Sequence, residues 1–317
     1  MEEIQSPNGE VEIVLARPRG FCAGVERAIA IVELALQKFG APVYVKHAIV
    51  HNWHVVARLE KLGAVFVEEL QDVPEGAHTI FSAHGVSPAV REEARGRDLL
   101  VVDATCPLVT KVHVEAKRFA SQGRTIFLIG HREHVEVIGT LGEAPQRIEV
   151  IGTVEEAKRI TVVDPGKVSY LTQTTLSLDD TRAIVEVLQR RFPALTSPGK
   201  EDICYATQNR QNAVQALAKT ADLILVVGSQ HSSNSNRLAE VARARGVPAY
   251  LVESHAEVKG EWLAGARCIG VTAGASAPEE IVQELVSRLA GQFNARIREI
   301  DVAPENVSFP LPAQLSQ

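Results

Sequence analysis

The chain has no long apolar run, no polybasic tract and no closely paired cysteines, and each absence narrows what it can do. None of its 317 residues fall in a stretch approaching the roughly 18 apolar residues that suggest a membrane span, so no membrane partner is expected. The amino terminus, MEEIQSP, is acidic and polar, which argues against a signal or transit peptide and for a cytoplasmic protein. Basic residues are dispersed and the formal net charge is −6, so the chain as a whole does not attract nucleic acid. The four cysteines, Cys22, Cys106, Cys204 and Cys268, form no CxxC pair, and simple zinc-ribbon spacing is excluded. In a cytosolic enzyme of this size, metal binding or catalysis is a better expectation for them than disulfides. Neither a Walker-type phosphate loop nor a GxGxxG turn is present.

What is present is a weak threefold repeat. Composition is that of an ordinary globular protein, 45% hydrophobic and 23% charged, and length alone suggests about two domains of about 150 residues. Short apolar β-branched runs alternate with amphipathic segments, the pattern of βαβ units and mostly parallel sheets. Strand-like VEIVLA (11–16) leads to Cys22 and then a helical stretch stopped by Gly40; LLVVDAT (99–105) leads to Cys106 and a helix opened by Pro107; EDICYAT (201–207) carries Cys204. The fold class expected is α/β, three pseudo-threefold-related units in a trefoil, covering 17–105, 106–200 and 201–317. The strand 11–16 joins the third unit, and a proline-rich strap closes the chain. Ligand sites in such sheets lie beyond the carboxyl ends of the strands, so three units around an axis would bring three cysteines and six loops to one centre.

A lone cysteine is most often a small buried apolar residue. Cys268, inside the apolar run RCIGV, takes that reading. Cys22, Cys106 and Cys204 each stand where a helix begins, where its dipole stabilises the thiolate that an iron–sulfur cluster needs. Three thiolates leave one iron of a four-iron cluster open as a Lewis acid. His51 and His84 end strands of the first unit, and His131 and His134 follow Leu-Ile-Gly in the second; such imidazoles can bind diphosphate or carry protons, or ligate zinc. Glu136 sits in that Gly- and His-rich loop, and beside an open iron it would be a proton donor with a pKa raised by burial. The small polar stretches SSNSN (232–236), TAGASAP (272–278) and TQTTLS (172–177) follow apolar runs and can offer hydroxyls and N–H groups to phosphate oxygens, although such loops are often only linkers.

Eight blocks together carry a resemblance: RPRGFCAGVERAI (17–29), HN (51–52), SAHGVSP (82–88), DATCPLVTKVH (103–113), TQTTLS (172–177), DICYAT with NRQ (202–211), GSQHSSNSNRLAE (228–240) and VTAGASAP (271–278). In this order, over residues from about 12 to about 290, the chain resembles the IspH/LytB family of 4-hydroxy-3-methylbut-2-enyl diphosphate reductases. The resemblance implies one four-iron, four-sulfur cluster held by Cys22, Cys106 and Cys204, with the fourth iron open to substrate. It implies that His51, His84, His134, Ser232, Ser233, Asn234 and Ser276 bind the substrate diphosphate, and that Thr174 and Glu136 meet the hydroxyl end. The implied reaction is the last step of the methylerythritol phosphate route: two electrons from a ferredoxin or flavodoxin and a proton relayed from Glu136 remove the hydroxyl as water, giving isopentenyl and dimethylallyl diphosphate. Val135 stands where the family has proline, which leaves this loop less fixed. The competing readings are a non-catalytic iron–sulfur or zinc redox sensor and a zinc hydrolase of a phosphorylated substrate.

Overall fold

The computed structural model describes residues 11–315; the amino-terminal residues 1–10, whose acidity argued against a leader, lie outside them. The fold is α/β, with three separate sheets in which every pairing is parallel.

The chain opens with β1 (Glu12–Arg17), then α1 (Ala23–Phe39). Gly40 stops this helix with φ +79°, a left-handed conformation in which its N–H reaches the Leu36 carbonyl at 3.0 Å. Next come β2 (Val43–Lys46), α2 (Trp53–Lys61), β3 (Ala64–Val67), β4 (His78–Phe81), α3 (Pro88–Gly96) and β5 (Leu100–Asp103). Their strands form one sheet in the order β3-β2-β4-β5. The second stretch gives α4 (Pro107–Ser121), β6 (Thr125–Ile129), α5 (Val135–Glu143), β7 (Ile148–Ile151), α6 (Val154–Arg159), β8 (Val168–Thr172) and α7 (Leu178–Arg191). Its sheet runs β7-β6-β8. The third gives α8 (Tyr205–Leu217), β9 (Leu223–Val227), α9 (Ser233–Ala244), β10 (Ala249–Val252), α10 (Gly260–Leu263), β11 (Cys268–Ala273), α11 (Glu279–Phe293) and β12 (Arg296–Asp301). With β1 between β11 and β12, they make the sheet β10-β9-β11-β1-β12.

The described residues gather into two compact units. One comprises 11–23, 51–54 and 205–307 and holds the five-stranded sheet; the other comprises 24–50, 55–204 and 308–315 and holds the other two. In the first, the alternation along β1 sends Ile13 and Leu15 to a core with Leu285 and Leu289 of α11, while Val14 and Ala16 meet Val214 and Leu217 of α8 and Leu238 of α9. Both faces are covered, which is why its inner strands read as continuous apolar runs. In the second unit, Phe127 and Ile129 pack with Ile184 and Leu188 of α7, and Ile126 and Leu128 with Val112, Ala116 and Phe119 of α4. Helix α4 leaves the four-stranded sheet yet covers the three-stranded one, and so ties the two sheets of this unit together. Among the described residues, no helix is long and apolar enough to cross a membrane.

Candidate active site

Most residues singled out for chemistry lie beyond the carboxyl end of a strand: Cys22 after β1, His51 after β2, His84 after β4, Cys106 after β5, His134 and Glu136 after β6, Thr174 after β8, Ser232 to Asn234 after β9 and Ser276 after β11; Cys204, expected at a strand-to-helix junction, instead follows α7 and a loop. They fall into two sets, one per unit.

In the second unit the set centres on Glu136. The sequence placed it in a loop; the structure places it in the first turn of α5. His134 is the residue that makes the difference, because its Nδ1 accepts the Glu136 backbone N–H at 3.2 Å and satisfies a donor that a helix start otherwise leaves open. That acceptor role leaves Nε2 as the donor of the neutral ring. Val135, expected in a loosened loop, is the first helical residue, the position that proline favours and that valine fills without breaking the turn.

The Glu136 side chain is buried, and both its oxygens meet one residue. The Thr174 backbone N–H donates to Oε1 at 2.7 Å and the Thr174 hydroxyl to Oε2 at 2.9 Å. Burial pushes the pKa up, the two Thr174 donors pull it back, the charge of Asp202 pushes it up again, and it settles at about 7. The carboxyl is therefore divided between its acid and base forms at neutral pH. The Thr174 hydroxyl can donate to the carboxylate and accept from the carboxylic acid, so it follows the proton in either state.

Thr174 also anchors Cys204, whose N–H donates to the Thr174 carbonyl at 3.1 Å. Two residues earlier, Asp202 accepts the Thr172 N–H at 2.9 Å and the Lys111 ammonium at 2.6 Å. Segment 202–204 is thereby laced along the end of β8. Burial holds Asp202 up at about 6 in spite of Lys111 and Thr172. Lys111 and Asp202 lie inside recognised blocks, DATCPLVTKVH and DICYAT, but no role was read from them; a polar residue within a block otherwise devoted to a thiol was the available signal. Cys106 caps α4, and its N–H donates to the Ala83 carbonyl at 3.0 Å. Beside Ala83, the His84 ring meets His134 edge-on with centroids 6.0 Å apart. The turn at His84 needs Gly85, at φ +79° with His113 and Thr105 each 3.2 Å from where a Cβ would stand. His84, His134, Glu136, Thr174, Cys106 and Cys204 thus share one end of this unit.

The first unit carries the second set. The Cys22 N–H donates to the Ala275 carbonyl at 3.2 Å, and the Ala23 N–H to the Tyr205 hydroxyl at 3.3 Å. SSN (232–234), read as a loop, is the cap and opening of α9: Ser232 Oγ accepts the Ser235 N–H at 3.3 Å. Asn234 Oδ1 accepts the Ala275 N–H at 2.8 Å, and Ser276 Oγ lies 3.3 Å from both Ser232 Oγ and the His51 carbonyl oxygen. His51, Ser232, Asn234, Ser276 and the backbone of Cys22 are therefore joined at the amino end of a 12-residue helix, a natural anion site. Ser233 is its first residue. Ser235 fits so closely against Gly228 and Gly274 that a Cβ on either would collide with it.

Sequence reasoning also missed Arg210, the largest fully buried side chain among the described residues. Its guanidinium donates to the Gly20 carbonyl at 2.7 Å, to Phe21 at 3.2 Å and to Glu305 at 2.9 Å, fixing the turn before Cys22. The NRQ block contained it, but a buried arginine is legible only once its partners are in place. Arg210→Met leaves two carbonyls and a carboxylate without their donor, a loss of about 3–5 kcal/mol. A thermal melt should fall by several degrees; an unchanged melting temperature would show that the clamp contributes nothing.

Cys22, Cys106 and Cys204 are partly exposed, in no disulfide, and each immediately precedes a helix, of 17, 15 and 13 residues respectively. That donor set suits cluster thiolates, each helix start supplying positive potential. Cys268 differs: it starts β11, and burial and Glu12 push its thiol pKa up, away from thiolate. Among the described residues, no three His, Cys, Asp or Glu side chains converge as the ligands of a single ion would.

Residues 13–290 match the family model described as LytB protein. A relative named 4-hydroxy-3-methylbut-2-enyl diphosphate reductase, from Azoarcus sp. (strain BH72), is 58% identical, over 96% of this chain and 98% of the relative. The solved structure of the E-1-hydroxy-2-methyl-but-2-enyl-4-diphosphate reductase from Plasmodium falciparum is 43% identical, with a TM-score of 0.95 over 97% of each chain. Another, of (E)-4-hydroxy-3-methyl-but-2-enyl diphosphate reductase, described as the terminal enzyme of the non-mevalonate pathway, is 32% identical with a TM-score of 0.63 over 89% of this chain and 99% of that one.

Proposed function

The chain belongs to the LytB protein family and is a 4-hydroxy-3-methylbut-2-enyl diphosphate reductase, and from that premise we propose how its own residues carry the reaction. Relatives so named over nearly the whole chain favour this function over a redox sensor or a zinc hydrolase.

Cys22, Cys106 and Cys204 would hold one four-iron, four-sulfur cluster, leaving its fourth iron to the substrate. When bound, that cluster supplies electrons one at a time and a Lewis-acidic iron. The opening of α9 receives the diphosphate: Ser232, Ser233 and Asn234 offer hydroxyl, amide and backbone donors, and Ser276 and His51 stand beside them. His84 and His134 would add imidazole donors. The hydroxyl end of the substrate is served by Glu136 and Thr174. Two electrons and two protons balance the conversion, which yields water and isopentenyl or dimethylallyl diphosphate. One proton leaves with the hydroxyl as water, and the other ends on carbon. A one-electron carrier such as a ferredoxin or flavodoxin is the donor, in the cytoplasm.

The observation that carries these assignments is the Glu136 carboxyl, buried, gripped at both oxygens by Thr174 and brought to about 7. An acid poised there gives its proton readily at neutral pH. Turnover is then expected to fall as the pH rises through about 7, where Glu136 loses its proton. Thr174→Val removes a donor that favours the ionised form, so the fall should move to higher pH while the rate declines. A pH–rate profile for the two proteins checks this; a fall at the same pH in both would detach Glu136 from the limb.

A further inference from the structure

Two arginines each hold the backbone just before a cysteine, and both are held in turn by the last stretch of the chain. Residues 302–312 form neither helix nor strand, and Pro304, Pro310 and Pro312 favour an extended course. Residues 302–307 belong to the first unit and 308–315 to the second. In the first unit, Glu305 Oε1 accepts from Arg210 Nη1 at 2.9 Å and from the Asn209 amide at 3.1 Å. The Nε and Nη2 groups of Arg210 donate to the carbonyls of Gly20 and Phe21, the two residues before Cys22. In the second unit, Arg27 does the same for Cys106. Its Nη1 donates to the carbonyls of Ala104 and Thr105, the two residues before that cysteine, at 3.3 and 3.1 Å, and its Nε to the Pro310 carbonyl at 2.8 Å. Lys38 holds the same segment at the Gln314 carbonyl, 2.8 Å away.

A guanidinium carries its donors in one rigid plane, so a partner that fixes one edge aims the other. Arg210 is fully buried and needs a counter-charge, which Glu305 gives it. We propose that the strap 302–315 is a brace for two of the three cysteine turns: Glu305 positions Cys22 through Arg210, and the segment at Pro310 positions Cys106 through Arg27. Its consequence for function rests on reading these cysteines as cluster ligands, because groups that fix a metal's ligands raise its retention. Cys204 is held differently: its N–H meets the Thr174 carbonyl, and Asp202 beside it is fixed by Thr172 and Lys111. It serves as the internal reference.

The test is hydrogen exchange, read by mass spectrometry, on the full-length protein, on Glu305→Gln and on a chain ended after Val307. Glu305→Gln keeps the shape and removes the charge, so the Cys22 and Ala23 amides should exchange about tenfold faster, while those of Thr105 and Cys106 keep the wild-type rate. The shortened chain, which loses the Pro310 and Gln314 contacts, should show the reverse, and Arg27→Gln at full length should match it. The Cys204 amide should not change in any of them. On protein purified without oxygen, each variant should also release iron to a chelator about tenfold faster than the wild type. Unchanged exchange at both turns, an equal rise at both turns, or iron release at the wild-type rate would overturn the brace. Exchange reads the brace with or without iron, so an iron-free wild type would count against the cluster alone and leave exchange to decide the brace.

Discussion

Glu136→Gln is expected to lower turnover by about 10²–10⁴-fold, the usual worth of a positioned general acid, and to stabilise the protein at pH 8. The two effects share one cause. The carboxyl pKa is raised from 4.5 to about 7 on folding, so between those values the folded state holds a proton that the unfolded state has released. Stability from this group is complete below pH 4.5 and is lost as the pH rises to about 7, by about 3 kcal/mol in full. Glutamine cannot ionise. It keeps the oxygen that accepts the Thr174 N–H and presents an amide to the Thr174 hydroxyl, so it escapes the cost of a buried charge. Melting curves at pH 5 and pH 8 measure this: the variant should gain on the wild type by several degrees at pH 8 and by little at pH 5. A gap independent of pH would mean that Glu136 is not the group titrating, and an active variant would mean that it is not the acid.

Replacing Cys22, Cys106 or Cys204 by alanine should bleach the protein and cut bound iron from about four per chain to well under half that, with turnover lost in proportion. Cys268→Ala should keep both. The contrast rests on position: three thiols immediately precede helices, while the fourth begins β11 at the far end of the strand from Ser276. Iron and visible absorption of the four variants decide it. An equal loss in Cys268→Ala would place the metal elsewhere, and no loss in the other three would remove the cluster from the proposal.

The inner strands were legible because burial on both faces writes itself as unbroken apolar runs, as in LILVV of β9. The strands that escaped notice, β3, β10 and β12, are all sheet edges. Edge strands are short or charged, which weakens the signal and guards against association. RIREID in β12 reads as a polar segment, and only pairing with β1 and the ion pairs Arg298–Glu12 and Arg17–Glu299, each at 2.8 Å, make it a strand. Around the site, residue types were legible and their partners were not. Glu136 carried a plausible role in the sequence, but its place in a helix turn capped by His134 shows only once α5 has formed, and the grip of Thr174 comes from 38 residues away. Arg210 and the Lys111–Asp202 pair were hidden for the same reason: a charge that becomes buried by folding looks like a surface charge until its acceptors are known.

The central claim, that three cysteines hold a redox cluster at which this chain reduces its diphosphate substrate, is tested most directly by one assay on protein purified without oxygen. Iron and acid-labile sulfide are measured, and the oxidation of a reduced one-electron dye is followed on adding 4-hydroxy-3-methylbut-2-enyl diphosphate. The expected result is a brown protein with about four irons and four sulfides per chain and dye oxidation that depends on the substrate. A colourless protein with tightly bound zinc, and no substrate-dependent oxidation after cluster reconstitution, would contradict it.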